Sequence, residues 1–583
     1  MNSQSFIDEL TDNLKKNKFE EALELFKDDS NNSIIDRDSW VIIQTVSSFI
    51  TNENAEHNKE LIDCCTLILT AIAEKCSLKQ IIFEFLEEME DDLRFCIVLK
   101  VIGKNLLKIN DNIKPIKWCL YTIRSYVEDL SRQKETQKDT TNRILKIYNE
   151  IISFLELMVE KAALKNVNSE KHAVLRDHLL SLLIFLMGEP LCYLPDYTSG
   201  SQLNDRLPEK IIILMTHITG DLLWFLSIIS RRSRENDLKK KKVDEESSNI
   251  KVALFESREY VPDLAYANLY FHVLTELHLW KKVPQIYNWE YIFQTCIYLI
   301  IKLLQETEIV AIKKGLNLTD HLLNKLTERS LTLDVLELNV YSKLFDALVK
   351  IMIYCDNDKE RRKALEVFRK YIEIFDIEAR YHVVLRLYQT SEHSGLLSLT
   401  TSIFKDSIIE CLHTSPPTPY FLGDNFKILL KLACKLSHGS ATDLVEISDE
   451  IITSLNLLRF LFLRDRYNQT GIWDLLDELK SDFLEPLREG IDLCRAHWKV
   501  RIKDLEEQKK TVKSDIGLEK SDAEVTLIVG GKKLPALPIP EKISFCHKAV
   551  NGLDVMESIL IRINECIAEI AFTKNNDNTV MLK

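Results

Sequence analysis

Glycine and proline are scarce in this sequence, which limits the number of tight turns that the chain can make. Only 14 glycines and 13 prolines occur among 583 residues, whereas average usage is roughly 7% and 5%. Sheets need many turns, and turns depend on these two residue types. Because 28% of the residues are also charged, the composition predicts an all-α protein of long helices joined by short polar loops.

Motifs for catalysis, cofactor binding and metal binding are also missing. The sequence contains no HExxH, GxxxxGK[ST], GxGxxG or GxSxG, and its 13 cysteines form no CxxC pair. Cysteines scattered in apolar stretches such as RFCIVL and FQTCIYL are typical of small buried side chains in a reducing compartment. We therefore expect no enzymatic activity, no cofactor and no metal, and a location in the cytosol or the nucleus.

An excess of positive charge is absent as well. The formal net charge is −13, whereas phosphate binding needs a clustered basic face, so no nucleic-acid partner is predicted. The opening MNSQSFIDELTDNLKK has neither the basic nor the apolar segment of a secretory signal. The longest apolar run, 211–230, contains Asp221, which would cost about 3 kcal/mol inside a bilayer. We expect this run to be a core helix and the protein to have no membrane partner.

Helical periodicity, by contrast, extends through most of the chain. Two segments, 306–326 and 358–375, share one layout of an acidic start, a basic residue, a small residue before leucine, and apolar residues three and four apart. The small residues are Gly315 and Ala364, which lie about 49 residues apart. A small residue lets neighbouring helices approach closely, as in the second helix of a HEAT repeat. The pattern predicts an irregular HEAT-like α-solenoid.

Two charged stretches interrupt this pattern. The first, RRSRENDLKKKKVDEESSNIK at 231–251, has no apolar period and is typical of a solvated segment. It predicts an N-terminal helical repeat domain at 1–233, a charged linker or loop at 234–251, and a C-terminal HEAT-like domain at 252–583. The second precedes EVTLIVGGKKLPALPIPEK, where apolar residues alternate before Gly530-Gly531. This change of period predicts a small β-hairpin-like excursion near 524–540.

One stretch in the C-terminal half changes character abruptly. SLNLLRFLFL, at 454–463, is apolar around almost the whole helix, whereas RDRYNQTGIW, at 464–473, is charged and rich in amides. The first part predicts a buried helix and the second a polar turn. An arginine within an apolar helix is rarely buried without a partner. Arg459, and Arg386 in VVLRLYQT, should therefore pair internally or face a groove or a partner.

The same stretch carries a resemblance to a known family. Residues 448–498 resemble the matching segment of the glomulin family, with its SLNLLR helix and its NQTG-W turn in the same order. Three further segments are similar to the family in the same order along the chain: AIAEKCSLKQIIFEFLE at 71–87, YQTSEHSG at 388–395 and GSATDLVEISDEI at 439–451. The likeness is densest between about 380 and 570.

The resemblance implies a function that needs no chemistry. Glomulin is a HEAT-like protein that binds the RING domain of the RING-box subunit of cullin-RING ubiquitin ligases. Its C-terminal repeats cover the surface on which ubiquitin-conjugating enzymes dock, and this masking inhibits ubiquitin transfer. The family is also associated with an immunophilin and with a receptor tyrosine kinase. The alternative is a generic α-solenoid scaffold or adaptor in signalling or trafficking.

The polar turn supplies the candidate partner contacts, because Arg, Tyr and Trp are enriched at interface hot spots. The candidates are Arg459, Arg464, Asp465, Tyr467, Asn468, Gln469 and Trp473. A second candidate region is Arg386 with Gln389, on the helix before SEHSG. Two alternatives stay open at this point: Trp473 as a core anchor, and Arg464 as a merely solvated side chain.

Overall fold

The chain folds into two compact units that consist almost entirely of α-helices. Unit 1 comprises Met1–Thr327 and Leu338–Tyr371, and unit 2 comprises Glu328–Glu337 and Ile372–Lys583. The computed structural model describes residues 3–108, 113–132, 137–163, 170–195, 206–237, 254–414, 418–514, 528–529, 532–533 and 538–580. The predicted all-α class is confirmed.

Unit 1 stacks its helices in two layers. Its α-helices are Ser3–Lys15, Phe19–Lys27, Asn32–Arg37, Ser39–Ser48, Asn52–His57, Lys59–Lys75, Leu78–Glu87, Asp92–Leu106, Lys114–Arg132, Gln137–Ala163, Glu170–Leu186, Leu207–Ile218, Phe225–Asp237, Asp263–Thr275, Leu277–Trp280, Trp289–Leu304, Ile309–Leu323, Asn339–Tyr354 and Asp358–Glu373. Between Lys59 and Ile218, helices that are two apart in the chain pack against one another, so that alternate helices build alternate layers. This is the arrangement of helical repeat proteins, and it confirms the predicted repeat fold.

The core of unit 1 surrounds the helix Asp263–Thr275, in which every residue from Leu264 to Leu274 is buried. The helix Trp289–Leu304 packs on it and also on Ile309–Leu323. At that second contact a Cβ built on Gly315 would lie 2.8 Å from Leu304 Cδ2 and 3.0 Å from Leu303 Cβ. The close approach predicted from this small residue is therefore confirmed.

The predicted linker at 234–251 lies mostly outside the described residues, and both of its flanks belong to unit 1. On the preceding side, Arg232 is buried, with 1% of its surface exposed. Its guanidinium donates hydrogen bonds of 2.6–3.1 Å to three backbone carbonyls between 255 and 261, and one of 2.8 Å to the carboxylate of Asp263. These contacts join the two flanks of the charged run within unit 1, and the domain boundary at 234–251 stays a prediction.

Unit 2 is built around one central helix. Its α-helices are Ile377–Thr390, Ser394–His413, Gly423–Ala433, Ser448–Arg464, Leu476–Leu479, Glu485–Ser514 and Ile539–Val580, with a π-helix at Lys480–Leu484. Ser448–Arg464 packs against Ser394–His413 and against Ile539–Val580, and the latter also packs along Glu485–Ser514. The segment that the sequence predicts to be buried is thus central within this unit.

The β-hairpin-like excursion predicted near 524–540 is not confirmed. In the described part of this segment, Ile528–Val529 pairs antiparallel with Lys532–Lys533. Residues 524–527, 530–531 and 534–537 lie outside the described residues, and the helix Ile539–Val580 begins directly after them. Two paired dipeptides do not amount to the predicted excursion.

Most of the apolar side chains in the run 211–230 are buried, but the single core helix predicted for it is wrong. Leu207–Ile218 ends before Gly220, and a new helix begins at Phe225. Asp221 lies between the two helices. Its carboxylate accepts the N–H of Leu223 at 2.9 Å and so caps the short helical turn that leads into the second helix. No single helix among those described is long and apolar enough to cross a membrane. One pair of helices, Leu207–Ile218 and Leu222–Arg234, is long and apolar enough when the two are taken together, but the pair is bent by 95°.

The thirteen cysteines are free thiols, and ten of them are buried. Burial raises the pKa of Cys64 and of Cys76 to about 11. Such thiols carry little thiolate at neutral pH and pack as small hydrophobic side chains, as the sequence predicts.

Candidate partner-binding surface

The helix Ser448–Arg464 carries the predicted polar turn at its C-terminal end. Its buried leucines are Leu455, Leu457, Leu458 and Leu461. The remaining face is open to solvent: Asn456 is exposed, Arg459 and Phe460 are half-buried, and Leu463 is 42% exposed. An apolar sequence around the whole helix therefore does not give burial around the whole helix.

Asp465 organises the turn that follows. It is 4% exposed, and its carboxylate accepts hydrogen bonds from the backbone N–H of Gln469 at 2.7 Å, from the N–H of Thr470 at 2.8 Å and from the Thr470 hydroxyl at 2.5 Å. Its own N–H donates to the Leu461 carbonyl at 2.9 Å and closes the helix. Charge-assisted bonds of this length are strong, so Asp465 holds the turn together and does not point to a partner.

Asn468 and Trp473 lock the other side of the turn. Asn468 has a left-handed backbone with φ of 55°, a conformation that asparagine tolerates better than most residues. Its Oδ1 accepts the N–H of Trp473 at 3.0 Å, and its Nδ2 donates to Asp474 at 2.9 Å. The indole Nε1 donates to the Asp465 carbonyl at 2.7 Å, and the ring packs edge-on against Phe462 at 5.0 Å. Trp473 is half-buried and is held within the turn by these contacts.

The side chains that this rigid turn leaves exposed are those available to a partner. Tyr467, in the turn, is 89% exposed, and Leu463, in the last turn of the preceding helix, is 42% exposed. Arg464, Arg466 and Gln469 are exposed as well. The residues predicted in this turn therefore fall into two groups. Arg464, Tyr467 and Gln469 face solvent, whereas Asp465, Asn468 and Trp473 form the turn itself.

The second predicted region, Arg386 and Gln389, lies elsewhere in unit 2. Both are exposed on the helix Ile377–Thr390, which leads into a helix whose Ser394 hydroxyl accepts the N–H of Glu450 at 3.4 Å. Glu450 lies near the N-terminal end of the helix Ser448–Arg464, whereas the polar turn follows the C-terminal end of that helix. At 1.5 Å per residue, about 21 Å of helix separates the two ends. The two predicted regions are therefore distinct patches.

A groove next to the polar turn escaped the sequence reasoning. It lies between the helix Gly423–Ala433 and the segment 472–484, with a volume of about 230 Å³. The apolar side chains that line it are Leu430, Cys434, Leu436, Leu475, Leu479 and Phe483. Its wall includes the π-helical turn Lys480–Leu484, and such turns are rare and frequent at functional sites. Burial raises the pKa of the Cys434 thiol, so this groove is suited to binding an apolar side chain and not to thiol chemistry.

Charged residues surround this groove. Lys431 pairs with Glu478 and lowers the pKa of that carboxyl, and Lys427 lies 3.6 Å from the same group. Lys435 and Asp482 also line the groove. An apolar floor inside a polar rim is the composition of a protein–protein interface. The sequence signal for it is the spacing of four residues between Lys427 and Lys431, which places two positive charges on one face of the helix Gly423–Ala433, with Lys435 just beyond its end.

The buried arginine of the helix Ile377–Thr390 is Arg380, which the sequence reasoning also missed. It is 7% exposed and donates to Glu410 at 2.8 Å and to the Phe375 carbonyl at 3.3 Å. Glu410 also pairs with Arg329 at 2.8 Å. Arg380 is thus paired internally, six residues before Arg386 and on another face of the helix.

Two curated relatives match nearly the whole chain. Glomulin of Homo sapiens is 25% identical over 578 residues, which cover 97% of this chain and 93% of that protein. Glomulin of Mus musculus is 25% identical over 579 residues with the same coverage. Among solved structures, a circular tandem repeat protein with novel repeat topology and enhanced subunit contact surfaces covers 98% of this chain and 97% of its own, at 11% identity and a TM-score of 0.17. A TM-score this low supports no argument.

A family profile gives the same assignment as the two relatives. Residues 269–551 match the profile described as an uncharacterised protein family, YAP/Alf4/glomulin. This range contains the polar turn, the groove and the region of Arg386 and Gln389. The relatives extend the likeness to both sides of it. Over nearly its whole length the chain is therefore similar to glomulin.

Proposed function

We propose that this protein binds the RING domain of the RING-box subunit of cullin-RING ubiquitin ligases, in complex with the cullin, and inhibits ubiquitin transfer. The observation that carries the proposal is the match to glomulin over 97% of the chain. Inhibition would follow from masking, because a protein that covers the docking surface of the ubiquitin-conjugating enzyme stops transfer without any reaction of its own.

The polar turn of unit 2 is the contact that we propose for the RING domain. Tyr467 and Arg464 belong to the residue types that dominate interface energies, and both stand exposed on a turn fixed by the bonds of Asp465. A preorganised turn loses little conformational entropy on binding. The neighbouring groove would receive an apolar side chain of the partner, with Lys431 and Lys435 at its rim.

The proposed role is binding alone. Among the described residues, no three His, Cys, Asp or Glu side chains are grouped as metal ligands, and burial raises the pKa of the Cys65 and Cys296 thiols. We propose that the protein acts in the cytosol, or in the nucleus, where cullin-RING ligases are found. Binding to an immunophilin and to a receptor tyrosine kinase are secondary proposals that depend only on the family resemblance.

Calorimetric titration of the full chain with a purified RING-box–cullin complex tests the proposal. Replacing Arg464 and Tyr467 together with alanine should weaken binding by about 30-fold or more, which corresponds to about 2 kcal/mol. The matched control replaces Arg386 and Gln389 with alanine and should leave the affinity unchanged. Both variants should keep the melting temperature, since exposed substitutions usually change stability by about 0.5 kcal/mol or less.

A ubiquitin-transfer assay tests the masking step separately. Inhibition by the full chain should be stoichiometric with the ligase and should decrease when conjugating enzyme is added in excess. If wild-type protein does not bind the complex, the proposal fails and the scaffold or adaptor role becomes the better account. If it binds but excess conjugating enzyme does not relieve inhibition, the masking mechanism is wrong. Loss of binding in the control variant alone would move the contact to Arg386 and Gln389.

A further inference from the structure

Unit 1 contains a cavity that the proposed function does not use. Its volume is about 200 Å³. Apolar walls come from Leu145, Leu191, Leu207 and Phe271. Five polar or charged residues also line it: Arg206, Glu209, His272, Glu276 and Lys314. An apolar cavity with a few convergent polar groups is the usual composition of a small-molecule site.

Lys314 places a positive charge at the wall of the cavity. It is 1% exposed, and its ammonium group donates to the Cys192 carbonyl at 2.9 Å and to Asn268 Oδ1 at 3.1 Å. Asn268 in turn donates from Nδ2 to the Met187 carbonyl at 2.7 Å. Lysine is almost never fully buried unless it is held by such bonds. The network fixes the position of the charge.

His272 follows Asn268 by one helical turn, so the two side chains lie on the same face of their helix. It is 8% exposed, and among the described residues its Nε2 has no hydrogen-bond partner. A buried polar atom left unsatisfied in a folded protein calls for an explanation. Burial, together with the charges of Lys314 and Arg206, holds the pKa of His272 well below its usual value. The imidazole is therefore neutral, and one of its ring nitrogens carries a proton that it can donate.

Arg206 contributes a second unmatched atom. Its Nη1 donates to Glu209 at 3.1 Å and lies 3.7 Å from Glu276. Its Nε is buried and, within the described part of the chain, has no hydrogen-bond partner. A guanidinium N–H can only donate. Two groups that line the same cavity thus lack a partner among the described residues: Arg206 Nε, which can only donate, and His272 Nε2, which donates in its Nε2–H tautomer.

We propose that this cavity binds a small carboxylate with an apolar body. The carboxylate oxygens accept hydrogen bonds from Arg206 Nε and His272 Nε2, and the body lies against Leu191 and Phe271. The charges of Arg206 and Lys314 offset those of Glu209 and Glu276, which line the same cavity. An apolar cavity of about 150 Å³ takes up benzene, so one of this size holds about eight to ten non-hydrogen atoms. Benzoate and hexanoate fit this limit.

Calorimetric titration of the full chain with sodium benzoate and sodium hexanoate tests the proposal. We expect dissociation constants below about 1 mM for both. Benzamide, which keeps the ring and one acceptor oxygen but not the charge, and benzylamine, which reverses the charge, should bind at least tenfold more weakly. These titrations of the wild-type chain can overturn the proposal. They do so if neither carboxylate binds measurably, or if benzamide binds as tightly as benzoate.

Two substitutions locate the site. His272→Phe and Arg206→Gln should each weaken benzoate binding at least tenfold, while retaining the circular dichroism spectrum of the wild type. The matched control is His217→Phe, because His217 is exposed and does not line this cavity. It should leave the affinity unchanged. Unchanged affinity in a folded His272→Phe or Arg206→Gln protein, or an equal loss in the control, would show that benzoate binds elsewhere and would refute the assignment.

Discussion

Replacing Asp465 with alanine should destabilise unit 2 far more than its position in a surface turn suggests. The substitution removes three hydrogen bonds to a carboxylate that is 4% exposed. It also leaves the N–H groups of Gln469 and Thr470 without their acceptor. Hydrogen bonds to a charged group contribute about 1.5–3 kcal/mol each, and deletions within one network are not additive. We expect a loss of about 3 kcal/mol.

Urea denaturation of the full chain measures this loss, and hydrogen exchange locates it. The transition assigned to unit 2 should move to lower urea concentration, and peptides spanning 461–474 should lose protection first. Arg466→Ala is the matched control, because Arg466 is the exposed neighbour of Asp465 and its removal should change stability by about 0.5 kcal/mol or less. Equal transitions for Asp465→Ala and Arg466→Ala would refute the inference that this carboxylate holds the turn.

Three further substitutions test the packing and the charges of the two units. Gly315→Ala should destabilise unit 1 by about 1–3 kcal/mol in urea denaturation, because the new Cβ would meet Leu304 at 2.8 Å. Gly552→Ala, where a Cβ meets nothing within 4 Å, should instead stabilise its helix by up to about 1 kcal/mol; stabilisation in both would contradict the close helix contact. Burial raises the pKa of Glu450 to about 7, so its protonated form is favoured in the folded state. The contribution of Glu450 to the free energy of unfolding should be greatest below about pH 4.5. It should fall by at most about 3 kcal/mol as the pH rises to about 7. Glu450→Gln should remove that fall, and parallel pH profiles of the two proteins would show that Glu450 is not its source. Leu458→Asp, at a position with 0% exposure, should unfold unit 2 at a cost of several kcal/mol, and an unchanged melting temperature would mean that this helix face is open.

The helical class and the repeat packing could be predicted because both depend on local rules. Few glycines and prolines leave few turns, and the small residue at Gly315 marks a close helix contact wherever the partner helix lies. The polar turn was predictable only as a turn. Whether Asp465 faces its own backbone or a partner depends on acceptors and donors four and five residues away, and on a left-handed residue at Asn468. The sequence shows these residue types but not their geometry.

Long-range contacts account for the remaining differences. Arg232 precedes the charged run and donates hydrogen bonds to carbonyls that follow it, and no local pattern in the sequence shows this contact. Arg380 and Arg386 stand in similar apolar surroundings in the sequence, and only the position of Glu410 shows which of them is buried. The groove lined by Lys431 and Lys435 depends on a π-helical turn, for which no simple sequence pattern exists.

The hydrogen bonds of Arg232 determine where residues can be inserted into this chain or deleted from it. They fasten the helix Phe225–Asp237 to the chain at 255–263, so the described residues before and after 238–253 are joined to each other directly. The entropy of closing a loop grows only slowly with its length. Insertions, deletions or a fused reporter domain between 238 and 253 should therefore be accepted with little effect on the packing of the helices on either side, and an affinity tag placed there would leave both chain termini free.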